Sequence, residues 1–177
     1  MIDYKSLSEN IKENTGLVAA LKGLDKAITY ITVLLYALLL FIGFTKISED
    51  HGVLLYRSIL VPGVSFLLVS LFRKNISFPR PYEVYDFVPA LEKDTVGKSF
   101  PSRHTFSIFM IAFAWGQFSV AMCHFILVLG VILATIRVIG GVHFVRDVVA
   151  GAAMAIIISV VCYGIFSGVF GLLMLPF

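Results

Sequence analysis

Apolar residues fall into long, almost uncharged runs separated by short polar breaks. The first run extends from about Ala27 to Phe44, and the cluster Lys46, Glu49, Asp50 and His51 ends it. A second covers about Val53 to Phe72, interrupted by Arg57 and Pro62. Two more, about His104 to Phe118 and Val120 to Ile139, follow one another with almost no linker, which predicts a tight helical hairpin. The last begins near Val148 and continues to about Leu175. Crossing the hydrocarbon core of a bilayer as a helix takes roughly 20 apolar residues. The pattern therefore predicts an all-α, polytopic membrane helix bundle with about five transmembrane helices. Arg57 is close enough to the end of its run to snorkel to the interface. Gly151, Ala155 and Ser159, four residues apart, give the last helix a small-residue stripe for close packing.

Residues 1–26 are polar overall but patterned. Tyr4, Leu7, Ile11, Val18, Leu21 and Ile28 recur at helical spacing among lysines and acids, and Glu13-Asn14-Thr15-Gly16 breaks the pattern. This predicts an amphipathic N-terminal segment, lying on the membrane surface or packed on the protein's own spans. Residues 27–177 form the membrane-embedded domain. Its one long polar connection, 73–103, carries Pro79, Pro81, Pro89 and Pro101, which oppose a continuous helix. Long loops in compact domains are frequently functional.

Composition agrees. Hydrophobic residues make up 59% of the chain and charged residues 14%, with a mean hydropathy of +0.95, so this is an integral membrane protein. The net charge of +3 is small and the basic residues sit in particular loops, which excludes nucleic acid as a partner. Cys123 and Cys162 lie inside apolar runs and read as small buried hydrophobes. No signal peptide precedes the first run, which would itself direct insertion.

Chemistry concentrates between Arg137 and Asp147, a polar island flanked by apolar runs. Ionisable groups beside a membrane span suggest function. His143 and Asp147 are four apart, which on a helix puts both on one face. The carboxylate can fix the imidazole tautomer and leave Nε2 as a base, nucleophile or ligand. With five spans, alternation brings 73–103 and 137–147 to the same side of the membrane. Arg73, Lys74, Arg80, Arg103 and Arg137 then stand beside His104, His143 and Asp147. Converging guanidinium groups fit the oxygens of a phosphate. Ser102 is a candidate N-cap for the helix that follows, whose first N–H groups form an anion site. His143, oriented by Asp147, can attack phosphorus and form a phosphohistidine, while His104 protonates the departing alkoxide. The surrounding arginines oppose a metal at these side chains, and no cofactor is implied. Glu83, Asp86, Glu92, Lys93, Asp94 and Lys98 read as solvated loop charges.

These residues resemble the three signature motifs of the type-2 phosphatidic acid phosphatase superfamily. The first motif is a Lys, six residues, then Arg-Pro; here Arg73, with Lys74 beside it, precedes Arg80-Pro81. The second, Pro-Ser-Gly-His, appears as Pro101-Ser102-Arg103-His104, and the third, Ser-Arg-x5-His-x3-Asp, runs from Ile136-Arg137 through His143 to Asp147. Three positions depart from the pattern: Arg73 for Lys, Arg103 for Gly and Ile136 for Ser. The resemblance implies a membrane lipid phosphatase without a metal. His143 would be the nucleophile, His104 the general acid and Asp147 the partner of His143. Arg73, Arg80, Ser102 and Arg137 would hold the phosphate, with Lys74 and Arg103 as further candidates.

The expected substrate is a lipid phosphomonoester or pyrophosphate, of the phosphatidic acid, phosphatidylglycerol phosphate, undecaprenyl pyrophosphate or lipid A phosphate class. Two alternatives stand beside hydrolysis: a lipid phosphotransferase, in which an alcohol replaces water, and a non-catalytic lipid-binding or transport protein. Sidedness is in conflict. Lys5, Lys12, Lys22 and Lys26 share the site's side, so a positive-inside count points to the cytoplasm, whereas the resemblance points to the outer face of the cell membrane. The sequence specifies no oligomeric state.

Overall fold

A computed structural model describes residues 3–45, 49–91 and 96–164. Helices carry the described chain: α1 (Tyr4–Lys12), α2 (Thr15–Thr45), α3 (Glu49–Asn75), α4 (Pro81–Val84), α5 (Arg103–Gly116), α6 (Val120–Ile139) and α7 (Val145–Ser159), with α7 running into a π-helical turn, Val160–Gly164. Glu92, Lys93, Asp94 and Lys46 lie outside the described residues.

Among the described residues, four segments are long and apolar enough to cross a membrane: α2, Gly52–Asn75 of α3, α6, and Val145–Gly164. The remaining expected span is α5. Its 14 residues extend about 21 Å at 1.5 Å per residue, short of the roughly 30 Å core. Burial explains how so short a helix is accommodated. Phe106, Ile108, Met110, Ala112 and Ala114 are almost fully enclosed, because α5 packs against α6, α7, α3 and α2 and has little lipid to meet. Its polar start is thereby held at the centre of one end of the bundle.

Small residues set the close crossings. A Cβ on Gly130 of α6 would lie 2.8 Å from the Phe109 ring, and one on Gly151 of α7 would lie 2.6 Å from the Ser102 carbonyl oxygen. The stripe read from the sequence is a contact face: Gly151, Ala155 and Ser159 are buried, and Ser159 Oγ reaches Met110 Sδ at 3.4 Å. Trp115 packs inward and donates to the Leu35 carbonyl at 3.1 Å. The polar interruption Arg57 is engaged within the protein. It donates to the carbonyls of Cys162 and Tyr163 at 3.1 and 3.3 Å, within the π-helical turn, where the backbone register is altered.

Near the N-terminus, the break expected around Glu13–Gly16 separates α1 from α2. α2 starts at Thr15, so residues 15–26 are continuous with the first membrane helix. Asp3 caps α1 through the N–H groups of Lys5 and Ser6. α1 buries Tyr4, Ser8 and Ile11 against the end of the bundle that carries the 73–103 connection. The Tyr4 hydroxyl accepts from the Val145 N–H at 3.2 Å, and Ser8 donates to the Val88 carbonyl at 3.3 Å.

Candidate active site

The described parts of the 73–103 connection, 73–91 and 96–103, are held together by buried arginines. Arg73, at the end of α3, donates to the carbonyl oxygens of Lys98, Ser99 and Pro101. Arg80 donates through Nε to Gly97 at 3.0 Å and through Nη1 to the Val142 carbonyl at 2.9 Å. Both side chains are buried, and each planar guanidinium serves several acceptors at once from a rigid fork of separate nitrogens, where a lysine would offer its donors from a single nitrogen. Glu83 is a structural member of the loop, where the sequence suggested a solvated charge. With Pro81 opening α4, Glu83 reaches back to the Arg80 N–H at 2.6 Å and also accepts from the Gly97 N–H at 2.7 Å. Gly97 has φ +64°, a conformation costly for any residue with a Cβ.

His143 lies just ahead of α7, between the turn at Gly141 (φ +76°) and the N-cap Phe144. Its relation to Asp147 is therefore not that of two residues on one helical face. Asp147 is the third residue of α7, and its Oδ2 caps the helix by accepting from the Phe144 N–H at 3.0 Å. The same oxygen stands 3.4 Å from His143 Nδ1 and accepts from Ser99 Oγ. His143, Asp147 and Ser99 are all buried, at 2%, 0% and 0% exposure. Burial, reinforced by the positive charges of Arg80 and Arg73 and only partly offset by Asp147, lowers the His143 pKa to about 4. The imidazole is thus neutral near pH 7, the form a nucleophile requires. Burial likewise lowers the pKa of Arg80, with Glu83 opposing the shift.

Two residues contribute at the start of α5. Ser102 occupies the N-cap position without using its hydroxyl as a cap; that oxygen accepts from Thr105 Oγ1 at 3.1 Å. The Ser102 backbone N–H donates to the Asp147 carbonyl at 2.9 Å, fastening the second motif to the third. His104 follows within the first helical turn.

A cavity of about 300 Å³ is lined by Ser70, Arg73, Lys74, Arg80, Lys98, Arg103, His104 and His143. Six of the nine residues predicted from the sequence meet there. Asp147 stands behind His143, and Ser102 is enclosed beneath the turn. Arg137 does not line this cavity. Its Nε is 2.7 Å from Asp25 Oδ1 and its Nη2 donates to Asp25 Oδ2 at 3.0 Å. In the sequence Asp25, on α2, counts only among the polar positions of the N-terminal segment; Ser99 is an addition, and Lys98 lines the cavity where the sequence suggested a solvated charge. An adjoining apolar cavity of about 320 Å³ lies between α2, α3, α5 and α6. Arg103 and His104 line both spaces.

A model of the PAP2 superfamily matches residues 53–170. Two solved structures are similar in fold. The crystal structure of LpxE from Aquifex aeolicus aligns with a TM-score of 0.68 at 20% identity, covering 91% of this chain and 92% of that one. The first transmembrane PAP2-type phosphatidylglycerolphosphate phosphatase from Bacillus subtilis aligns with a TM-score of 0.52 at 21% identity, covering 92% and 91%. No curated protein sequence matches the chain.

Proposed function

The chain belongs to the PAP2 superfamily, and on that premise we propose that it is a metal-independent lipid phosphatase acting through a phosphohistidine. One observation carries the reading: a buried histidine, held neutral and backed by a buried carboxylate, faces a cavity lined by five cationic side chains. Cations so placed suit the phosphoryl group that His143 would attack and are unfavourable for a metal ion.

In the proposed reaction His143 Nε2 attacks phosphorus while Asp147 holds Nδ1–H and stabilises the charge that develops on the ring. The phosphorus–oxygen bond to the lipid breaks, and His104 gives its proton to the departing oxygen. Water, deprotonated by His104, then cleaves the phosphohistidine and releases inorganic phosphate. Lys74, Lys98 and Arg103 attract the anion from the mouth, while Arg73 and Arg80 hold the loop and lend their charge. Ser102 sets the turn, and Arg137 contributes from its place beside Asp25. The apolar cavity, entered past Arg103 and His104, suits a lipid chain. By family resemblance the site would open on the outer face of the membrane.

Purified protein in detergent micelles containing EDTA should release phosphate from at least one of phosphatidic acid, phosphatidylglycerol phosphate, a polyprenyl pyrophosphate or a lipid A phosphate. With ³²P-labelled substrate, a quenched reaction should carry acid-labile, alkali-stable label on the protein, absent in His143→Ala. Full turnover by His143→Ala would overturn the mechanism. Label appearing on an added alcohol would assign a phosphotransferase instead.

A further inference from the structure

Arg103 occupies the position where the superfamily signature carries glycine, and the structure gives that departure a location. Five formal positive charges line the catalytic cavity: Arg73, Lys74, Arg80, Lys98 and Arg103. No described carboxylate lines it. A phosphomonoester brings about 1.5 to 2 negative charges, which leaves a cationic excess. Arg73 and Arg80 are also engaged by loop carbonyls, whereas Arg103 is exposed at the first position of α5.

Direction matters as much as charge. The nucleophile and the leaving group stand on opposite sides of phosphorus during in-line displacement. His143 lines only the polar cavity, whereas His104 lines both, so a leaving group opposite His143 would depart past His104 into the apolar cavity. Arg103 lines that exit, its guanidinium carbon 5.9 Å from the centre of the Phe66 ring. A leaving group that is a neutral alcohol gives this arginine nothing to bind. One that carries its own phosphate presents an anion at the junction of the two cavities.

We propose that Arg103 is a specificity-determining residue that binds a second phosphate on the leaving-group side of the scissile one, so that the preferred substrate is a lipid bearing two phosphates. The inference rests on the phosphatase reading above. The second phosphate is joined either directly, as in a lipid diphosphate, or through a short polyol, as in a phosphorylated glycerophospholipid. In both cases His143 takes the terminal phosphoryl group, the bridging or ester oxygen leaves with the lipid phosphate, and water completes the release of inorganic phosphate.

Two matched pairs test this: farnesyl diphosphate against farnesyl monophosphate, and phosphatidylglycerol phosphate against phosphatidic acid with the same acyl chains. kcat/KM is measured for the full-length wild type, Arg103→Ala and Arg103→Lys in micelles. In at least one pair the wild type should prefer the doubly phosphorylated member, and Arg103→Ala should shrink that preference by about fivefold or more. Arg103→Lys should retain part of it, because charge survives while the paired hydrogen bonds do not. The pair in which the preference shrinks identifies the linkage. A change below about fivefold in both pairs, as expected of a merely solvated arginine, overturns the assignment. The underlying reading fails differently: the wild type would hydrolyse none of the four lipids, or His143→Ala would hydrolyse them as well as wild type does.

Discussion

Asp25 offers the sharpest energetic prediction, because it ties the first membrane helix to the last turn of α6, just ahead of His143. Its carboxylate meets Arg137 through two contacts, 2.7 and 3.0 Å, with side-chain exposures of 16% for Asp25 and 6% for Arg137. Removing one partner of a buried ion pair leaves the other desolvated and uncompensated, at a cost of about 3–5 kcal/mol. The residual exposure of Asp25 argues for the lower end, about 3 kcal/mol. For a chain of this size each kcal/mol moves Tm by about 2–4 °C, so Asp25→Ala should melt about 6–12 °C lower in detergent. Replacing both partners with apolar residues removes the desolvated charge together with its counterion. Asp25→Leu/Arg137→Met should therefore recover most of the lost Tm, while remaining impaired in turnover. The assay is thermal unfolding of wild type, both single variants and the double variant, read as a cycle. A single Asp25→Ala variant within about 1 °C of wild type would refute the reasoning. So would a double variant whose loss equals the sum of the singles, since the pair would then carry no coupling.

Further outcomes follow from the site. Ser99→Ala removes a donor from the buried Asp147 carboxylate, costing about 1–3 kcal/mol; kcat should fall about tenfold or more while Ser99→Thr is less affected, and a kcat within about twofold of wild type refutes the role. The acid limb of kcat/KM should lie near pH 4, the lowered pKa of His143, once corrected for the substrate's own ionisation near pH 6; an inflection near 6.5 would contradict a buried neutral imidazole. The same shift makes stability pH-dependent: between about pH 6.5 and 4 the unfolded chain binds a proton that folded His143 does not, so about 3 kcal/mol is lost as pH falls through this window, a loss His143→Asn should reduce. Gly151→Ala would press a methyl group onto the Ser102 carbonyl, and should cost about 1–3 kcal/mol in detergent unfolding together with activity; unchanged melting and turnover would show that α5 and α7 separate freely.

What could be read from the sequence and what could not divide along a physical line. Apolar runs reveal helices because bilayer thickness fixes their length, and the runs later seen as α2, α3, α6 and α7 stood out for that reason. α5 escaped the length rule because its neighbours, rather than lipid, cover it. Six of the eight residues that line the cavity were legible because their types and local spacings match the motifs the chain resembles; Ser70 and Lys98 were not. The spacing of His143 and Asp147 was seen correctly and explained wrongly: the pair straddles a helix N-cap instead of sharing a helical face. Glu83 had left a signal, an acid two residues after the proline that opens α4, which is the spacing of a capping interaction.

Asp25 and Ser99 had left none. Asp25 is 112 positions from Arg137, and Ser99 is 48 from Asp147. Nothing in either local sequence separates a buried partner from an ordinary polar residue. That difference has a consequence for the site itself. Residues that would meet the phosphate are constrained by what they do to phosphorus, so their types recur in recognisable order. Residues that hold them are constrained only by reach and hydrogen-bonding capacity, which a side chain from any neighbouring helix can supply. Arg137 shows the division within one residue: its place in the third motif is legible from spacing, but the carboxylate that holds it comes from α2, outside all three motifs. Transferring those motifs onto another bundle would therefore carry Ser99 along in the 73–103 loop and leave Arg137 without its counterion, at the energetic cost predicted for Asp25→Ala.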